Sequence, residues 1–289
     1  MTRLPLAPAT LRLEEAERSA QNRRFRVHLE DGGVVEAVLY REDTLCLSTQ
    51  VGCAVGCPFC ASGARGLSRP LRAHELQGQV EAVRAAGHRP TKLTLSGIGE
   101  PLHVPDVPAF FTWARNRGLK VSLTTSGGPL PRLRAWLHRP HNGLTVSVHA
   151  GTEALRAELV PRGPALGPLF AALAEELPRL GTRRRKKTAL AYLLLRGASD
   201  ATSELDAFAA RARPLGLAVH LYAHNAVPGA AYGGVPRPGY EAAYARLRAA
   251  GLVVRMSSTA RREANGGCGT LVPDGPGLTP RGRASPPGP

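Results

Sequence analysis

The sequence predicts an α/β fold, a partial (β/α)6 barrel behind a small N-terminal β-hairpin and helical extension, and three observations carry that expectation. Short apolar runs of strand length alternate with amphipathic stretches of helix length across residues 44–250. Residues suited to chemistry follow successive strand runs instead of scattering along the chain, as they do at a barrel mouth. A chain of 289 residues with 43% hydrophobic content is also long enough to bury one large catalytic core.

Taken in order, residues 1–24 read as a helical or partly ordered extension. Residues 26–30 and 34–40 are expected as two strands joined across Asp31, Gly32 and Gly33, a sequence suited to a hairpin turn. Residues 1–43 thus form a lead-in module, and the catalytic domain spans 44–272. Its expected strands are 45–49, 92–95, 120–124, 144–148, 189–195 and 218–223. The helices between and after them are 73–87, 107–117, 131–138, two near 152–159 and 166–179, then 201–213 and 239–250. Right-handed crossovers between parallel strands would curl such a sheet toward an incomplete barrel with its site at the C-terminal strand ends; an open doubly wound sheet is the alternative. The segment 273–289, rich in Pro, Gly and Arg, is expected to be disordered.

Charge bounds the partners. Lys and Arg number 38 against 22 Asp and Glu, a formal net charge of +16. Such a positive field favours a polyanion, nucleic acid first, although a GC-rich coding bias would also raise the Arg, Pro and Gly content. No stretch of about 18 apolar residues occurs, and the first twenty residues hold acids and no signal-like apolar run, so a cytoplasmic protein with no membrane partner is expected. Five cysteines in that setting point to metal or redox chemistry more than to a disulfide framework.

Three of those cysteines, Cys53, Cys57 and Cys60, lie in VGCAVGCPFCASG directly after the first barrel strand, a C-x3-C-x2-C loop with glycines at 52 and 56. Three thiolates hold three irons of a [4Fe-4S] cubane and leave the fourth open. S-adenosylmethionine (SAM) can chelate that iron through its amino and carboxylate groups, and an electron then cleaves its S–C bond to a 5′-deoxyadenosyl radical. The pattern therefore reads as a radical-SAM enzyme. A Cys3His zinc site completed by His149 or His74 is the competing reading, but zinc sites generally pair C-x2-C knuckles and only one such pair is present.

The stretch CLSTQVGCAVGCPFC (46–60) is followed by SGIGEPL (96–102), LTTSG (123–127), VSVHA (146–150), ELVPR (158–162), HNAVPGAAY (224–232) and GGCGTL (266–271). In this order the motifs resemble the RlmN/Cfr family of radical-SAM RNA adenine methyltransferases, over about residues 36–271. The resemblance implies that Cys46 and Cys268 are a catalytic pair. One SAM methylates Cys268, and the radical from a second SAM abstracts hydrogen from that S-methyl group. The methylene radical attacks adenine, and Cys46 attacks the sulfur of Cys268 to release the methylated RNA through a transient disulfide. A thiolate at Cys46 is needed for that last step.

The resemblance also implies Glu36 as the acceptor of the proton lost from adenine. Gly99, Glu100, Thr124, Ser147, Val148, His149 and Asn225 are implied as SAM contacts. The implied activity is methylation of adenosine, at carbon 2 ahead of carbon 8, in ribosomal or transfer RNA, by a monomer using one [4Fe-4S] cluster, two SAM per turnover and an electron donor such as flavodoxin or ferredoxin. The chain departs from the pattern in having 45 residues before Cys46, fewer than the ribosomal enzyme leads one to expect, and in RMSSTARREANGG before Cys268, which lacks an Arg-Gly-Asp-rich pattern. The same chemistry on a non-RNA substrate, and a noncatalytic RNA-binding Fe–S protein, stay open at this point. The densest charge run, Arg183 to Lys187, is expected as a solvated loop or as a phosphate contact beside the barrel mouth.

Overall fold

Strands in this chain alternate apolar with small or polar residues, and the alternation sorts the sheet into two faces. The computed structural model describes residues 11–278 other than 228, 264, 267 and 268. Strands β1 (Arg12–Arg18), β2 (Asn22–His28), β3 (Val34–Tyr40) and β4 (Thr44–Leu47) pair antiparallel in succession. A separate two-stranded sheet, β5 (Gln50–Gly52) with β6 (Leu67–Pro70), follows. Then come α1 (Ala73–Ala85), β7 (Lys92–Leu95), α2 (Val107–Asn116), β8 (Lys120–Thr125), α3 (Leu130–His138), β9 (Gly143–Ser147), α4 (Glu153–Leu159), α5 (Leu166–Glu176), α6 (Thr182–Arg185), β10 (Thr188–Leu194), α7 (Thr202–Ala212), β11 (Ala218–Ala223), α8 (Arg237–Ala249), β12 (Val254–Met256) and α9 (Thr259–Arg262).

The main sheet has the order β1-β2-β3-β4-β7-β8-β9-β10-β11-β12, parallel from β4 onward. Every parallel strand lies beside its predecessor. A doubly wound sheet would reverse direction at a switch point, so this order is that of a barrel, left open with β1 and β12 at its edges. The strand β12 adds a seventh parallel strand to the six expected; three residues are too few to show a period.

Cross-strand register shows what the two faces are for. The partners Cys46, Thr94, Ser122 and Gly143 form one row; Thr124, Thr145, Ala189 and Ala218 form the next; Ser147, Ala191, His220 and Arg255 form the third. Most of these small and polar residues line one continuous cleft inside the curl. The alternate residues, among them Leu93, Leu95, Val121, Leu144, Val146, Leu190 and Val219, are buried in the hydrophobic core beneath the helices. On α2, for example, Val107, Phe110, Phe111 and Ala114 recur at helical spacing and are buried.

Two expectations are corrected. Residues within 12–18, expected as part of a helical or partly ordered extension, form the edge strand β1. Its helix-like acids are opposed by β2: Glu15 pairs with Arg23 at 3.3 Å, Glu17 with Arg24 at 3.7 Å, and Glu14 with His28 at 3.2 Å, so cross-strand charge overrides local helix propensity. Residues 273–278, expected as the start of a disordered tail, are held. Asp274 exchanges backbone hydrogen bonds with Val34 at 2.7 and 3.0 Å, and Leu278 is buried. The remainder of that segment lies outside the described residues. No helix among the described residues is long and apolar enough to cross a membrane.

Burial pushes the imidazoles of His141 and His220 down to about 4, with Arg184, Lys187 and Arg115 adding to the effect at His141 and Arg255 and Arg261 at His220. Between their ordinary value of 6.5 and about 4 the unfolded chain binds more protons than the folded one, so stability falls on acidification through that window. Urea unfolding is expected to show a lower midpoint at about pH 5 than at about pH 7.5, with a shallower dependence in His220→Gln. An unchanged slope in that variant would remove His220 from the account.

Candidate active site at the cysteine loop

The loop that carries Cys53, Cys57 and Cys60 is closed at its base by β5 and β6. Cys53 donates its N–H to the Gly66 carbonyl at 2.8 Å, and Cys60 donates to Cys57 at 3.1 Å. Gly52 sits at φ +87°, where a Cβ would stand 2.2 Å from the Gly66 oxygen, so the turn into the loop admits no side chain. The three thiols rest on an apolar floor of Val55, Phe59, Leu159, Val160, Leu193 and Leu195. Burial, with some repulsion from the neighbouring sulfurs, pushes the Cys53 thiol up to about 12 and the Cys57 thiol well above its ordinary value. Thiols so disfavoured as free anions are stabilised as thiolates by a metal's charge, and soft sulfur donors suit iron. Among the described residues no three His, Cys, Asp or Glu side chains converge on a single-ion position. Three soft thiols on one cavity wall fit a cubane, whose irons are capped separately.

Strand ends complete the wall. Cys53, Cys57, Cys60, Gly99, Glu100, Thr124, Ser147 and His149 line one cavity. Gly99, at φ +107°, has room for no Cβ: it would lie 2.7 Å from atoms of Gln50 and Thr49. The buried Glu100 carboxylate accepts from Thr125 Oγ1 at 2.5 Å, Ser126 N–H at 2.7 Å and Leu102 N–H at 3.1 Å. His149 Nδ1 accepts the Leu193 N–H at 3.1 Å, and its ring meets Phe59 edge to face at 5.5 Å. Burial holds this imidazole down to about 3, so the ring is neutral and its proton sits on Nε2, the nitrogen that Leu193 leaves free.

Cys46 is buried on β4, between Val38 and Thr94, with Sγ 3.3 Å from Ser96 Oγ. Ser96 lines the cysteine cavity, so Cys46 sits one side chain behind it. Cys268 lies outside the described residues, but the chain on either side of it is held. Tyr40 donates its hydroxyl to the Gly266 carbonyl at 2.6 Å, Ala61 N–H donates to the Gly269 carbonyl at 2.7 Å, and Ser62 Oγ donates to Leu271 at 2.9 Å.

Besides Cys46, three described candidates are not part of the cavity lining. Glu36 is buried, ion-paired with Arg24, and accepts the Val272 N–H at 2.8 Å. Val148 is fully buried, its N–H bonded to Ala191. Asn225 turns its Nδ2 to the carbonyls of Arg261 at 2.9 Å and Glu263 at 3.3 Å.

Sequence reading missed Arg156. Its guanidinium, 1% exposed, donates to the carbonyls of Ser126 at 2.7 Å, Ser147 at 2.8 Å, Val148 at 2.9 Å and Pro164 at 3.0 Å. Burial lowers it to about 10, while the Cys57 and Glu100 charges oppose the shift, so it stays a cation at neutral pH. The available signal was an arginine at i with Leu159 at i+3 and Val160 at i+4, which puts a charge on the apolar face of a helix. Ser126, whose buried Oγ has no partner among the described residues, was also passed over, and it lines the same cavity.

Comparison with known proteins places this geometry. Residues 47–203 match the Radical SAM superfamily. A protein of Azoarcus sp. (strain BH72) described as a probable RNA methyltransferase is 35% identical over 266 residues, covering 86% of this chain and 72% of its own. The dual-specificity RNA methyltransferase RlmN of Halorhodospira halophila is 32% identical over 272 residues, covering 89% and 75%. The crystal structure of a radical SAM methyltransferase from Sphaerobacter thermophilus superposes with a TM-score of 0.80 at 29% identity, covering 93% of this chain and 82% of that one.

Replacing the buried guanidinium leaves strand-end carbonyls unsatisfied. Arg156→Met is expected to lose about 3 kcal/mol or more of stability by urea unfolding. Arg156→Lys should recover little of it, since a single ammonium cannot fork to all of these carbonyls. Near wild-type stability in both variants would refute the clamp.

Proposed function

The chain belongs to the radical SAM superfamily and, within it, to the RlmN-like RNA methyltransferases, and on that premise we propose that it methylates a ring carbon of adenosine in ribosomal or transfer RNA through Cys268. It is a SAM-dependent enzyme of the radical SAM class. Carbon 2 is preferred to carbon 8 on the resemblance of its motifs.

Cys53, Cys57 and Cys60 would hold the [4Fe-4S] cluster. When bound, the cluster and SAM supply the electron and the 5′-deoxyadenosyl radical that start the reaction. Around them the chain's own groups bind and orient. Glu100 presents a carboxylate, already aimed by Thr125 and Ser126, to the ammonium end of SAM. Gly99 lets that end approach the backbone. Thr124, Ser147 and the Nε2–H of His149 offer donors from adjacent strand ends, whereas Val148 enters the reading by resemblance, its N–H being held by Ala191 and its carbonyl by Arg156. Asn225 enters the reading by resemblance, and a ligand contact requires it to exchange its bonds to 261 and 263.

Cys268 carries the methyl group to the base, Glu36 accepts the proton lost from the attacked carbon while the odd electron of the adduct would return to the bound cluster, and Cys46 then attacks the Cys268 sulfur, forming a disulfide as the electron pair of the broken S–C bond leaves with the methylated base. Ser96 Oγ is placed to donate to a Cys46 thiolate. The role of Glu36 requires it to part from Arg24 or share that partner with the adduct. Two SAM are consumed per turnover, with electrons from a flavodoxin or ferredoxin type of donor and the enzyme acting as a monomer.

The observation that carries this reading beyond radical generation is the place of Cys46. A buried thiol lies immediately behind the cysteine cavity, and the segments flanking Cys268 dock on β3 and on the cysteine loop. With RNA substrate and SAM, Cys46→Ala is expected to accumulate a protein–RNA adduct that survives denaturing electrophoresis, and Cys268→Ala to give neither adduct nor methylated RNA. Wild-type turnover by Cys46→Ala would refute the resolving role. Mass spectrometry of digested ribosomal and transfer RNA from wild-type and deletion cells is expected to show one methyladenosine lost, and its identity assigns carbon 2 or carbon 8.

A further inference from the structure

The basic run at 183–187 does not border the mouth. It forms α6 and leads into the start of β10, at the end of the strands opposite the cysteine loop. There the chain builds a second cavity, of about 750 Å³. Its walls come from the end of α2, the end of α3, residues 140–142 before β9 and residues 179–187 before β10.

Arg115, Arg179, Arg183, Arg184 and Lys187 line it, and none of the lining residues is a carboxylate. Arg179 is paired with Glu175 and Glu176, whereas Arg115, Arg183 and Arg184 make no ion pair among the described residues. Like charges gathered in a concave wall repel one another and focus a positive potential into it. On the same wall stands His141, 4% exposed, with neither Nδ1 nor Nε2 hydrogen-bonded among the described residues. A buried imidazole with both nitrogens idle is unusual, and one of them always carries a proton to donate. The ring lies within electrostatic reach of Arg184, Lys187 and Arg115, and Lys187 Nζ is 3.4 Å from the His141 carbonyl.

We infer that this cavity binds the phosphate groups of an anionic ligand, with Arg115, Arg183, Arg184 and Lys187 meeting phosphate oxygens and a His141 ring N–H donating to one of them. Arginine forks match phosphate geometry and are weakly hydrated, which suits a half-enclosed wall. Four cations around one space call for more than a single phosphate. Two sources carry that chemistry: a free diphosphate, as in a nucleotide, or successive phosphodiesters of RNA. Only the RNA source rests on the proposed function. Either way the site is separate from the catalytic cavity, since the two share no lining residue.

Titration calorimetry on the full chain tests this, with pyrophosphate as one probe and an oligouridylate, which offers no adenine to the active site, as the other. Wild type is expected to bind at least one probe, and Arg183→Ala/Arg184→Ala to bind it at least about tenfold more weakly. His141→Gln, which alters the ring and no cation, should weaken the same probe. SAM cleavage without RNA should be unchanged in both variants. Binding of pyrophosphate assigns a free diphosphate, and binding of the oligouridylate alone assigns RNA backbone. Failure of wild type to bind either probe, or equal affinities in wild type and the double arginine variant, overturns the inference. Cys268→Ala should match wild type with each probe, so loss of methylation there leaves this site untouched.

Discussion

The site depends on one buried guanidinium. Arg156 is a full charge in the interior, a costly placement unless every N–H finds an oxygen, and it spends its donors on the carbonyls that end the turns after β8 and β9 and on Pro164. Those turns carry Ser126, Ser147, Val148 and His149. The arginine therefore sets the distance between two adjacent strand ends, and with it the width of the cavity wall. It also stands within electrostatic reach of Cys57 and Glu100, so the cation that ties the turns together offsets negative charge gathered at the cysteine loop. Packing and electrostatics meet in one residue here, and exchanging it for a lysine would preserve charge while losing the fork.

A second dependence runs through the N-terminal strands. Asn22 Nδ2 donates to the Ala260 carbonyl at 2.7 Å and to Glu263 Oε2 at 2.9 Å, Ser19 bonds Glu263 and Asn265, and Arg41 donates to Thr259 Oγ1 at 3.0 Å. Arg24 joins Glu36 to the Thr270 carbonyl. The antiparallel strands that precede the barrel thus grip the chain on both sides of Cys268. Their contribution is positional: the segments that flank Cys268 are anchored by polar contacts that can be exchanged, in place of an apolar core that cannot.

The open sheet serves the same end. In a closed barrel the inward rows are bulky and fill the interior. Here those rows hold serine, threonine, alanine and glycine, and leave a polar cleft along the strands. Apolar packing is confined to the outward rows, where helices cover it.

The strand and helix order, the cysteine triad and the motif order were legible in the sequence because each is a local pattern: a period of two or 3.6, or a fixed spacing within one loop. Cys53, Cys57, Cys60, Gly99, Glu100, Thr124, Ser147 and His149 fall on one wall because successive parallel strands end at the same edge of the sheet, so residues just after each strand must meet there. What tertiary structure alone decided was which charges pair across long separations. Residues 12–18 are a strand because β2 offers arginines to their acids, and Glu36 and Asn225, which do not line the cavity, are held by partners more than two hundred and some thirty-six residues on, respectively. Arg156 is an interior clamp because four carbonyls converge on it, and the run at 183–187 lies at the far end of the strands because it precedes β10 where the cysteine loop follows β4. A one-dimensional pattern records periodicity and spacing; the partner of a charge is fixed only when the chain has folded around it.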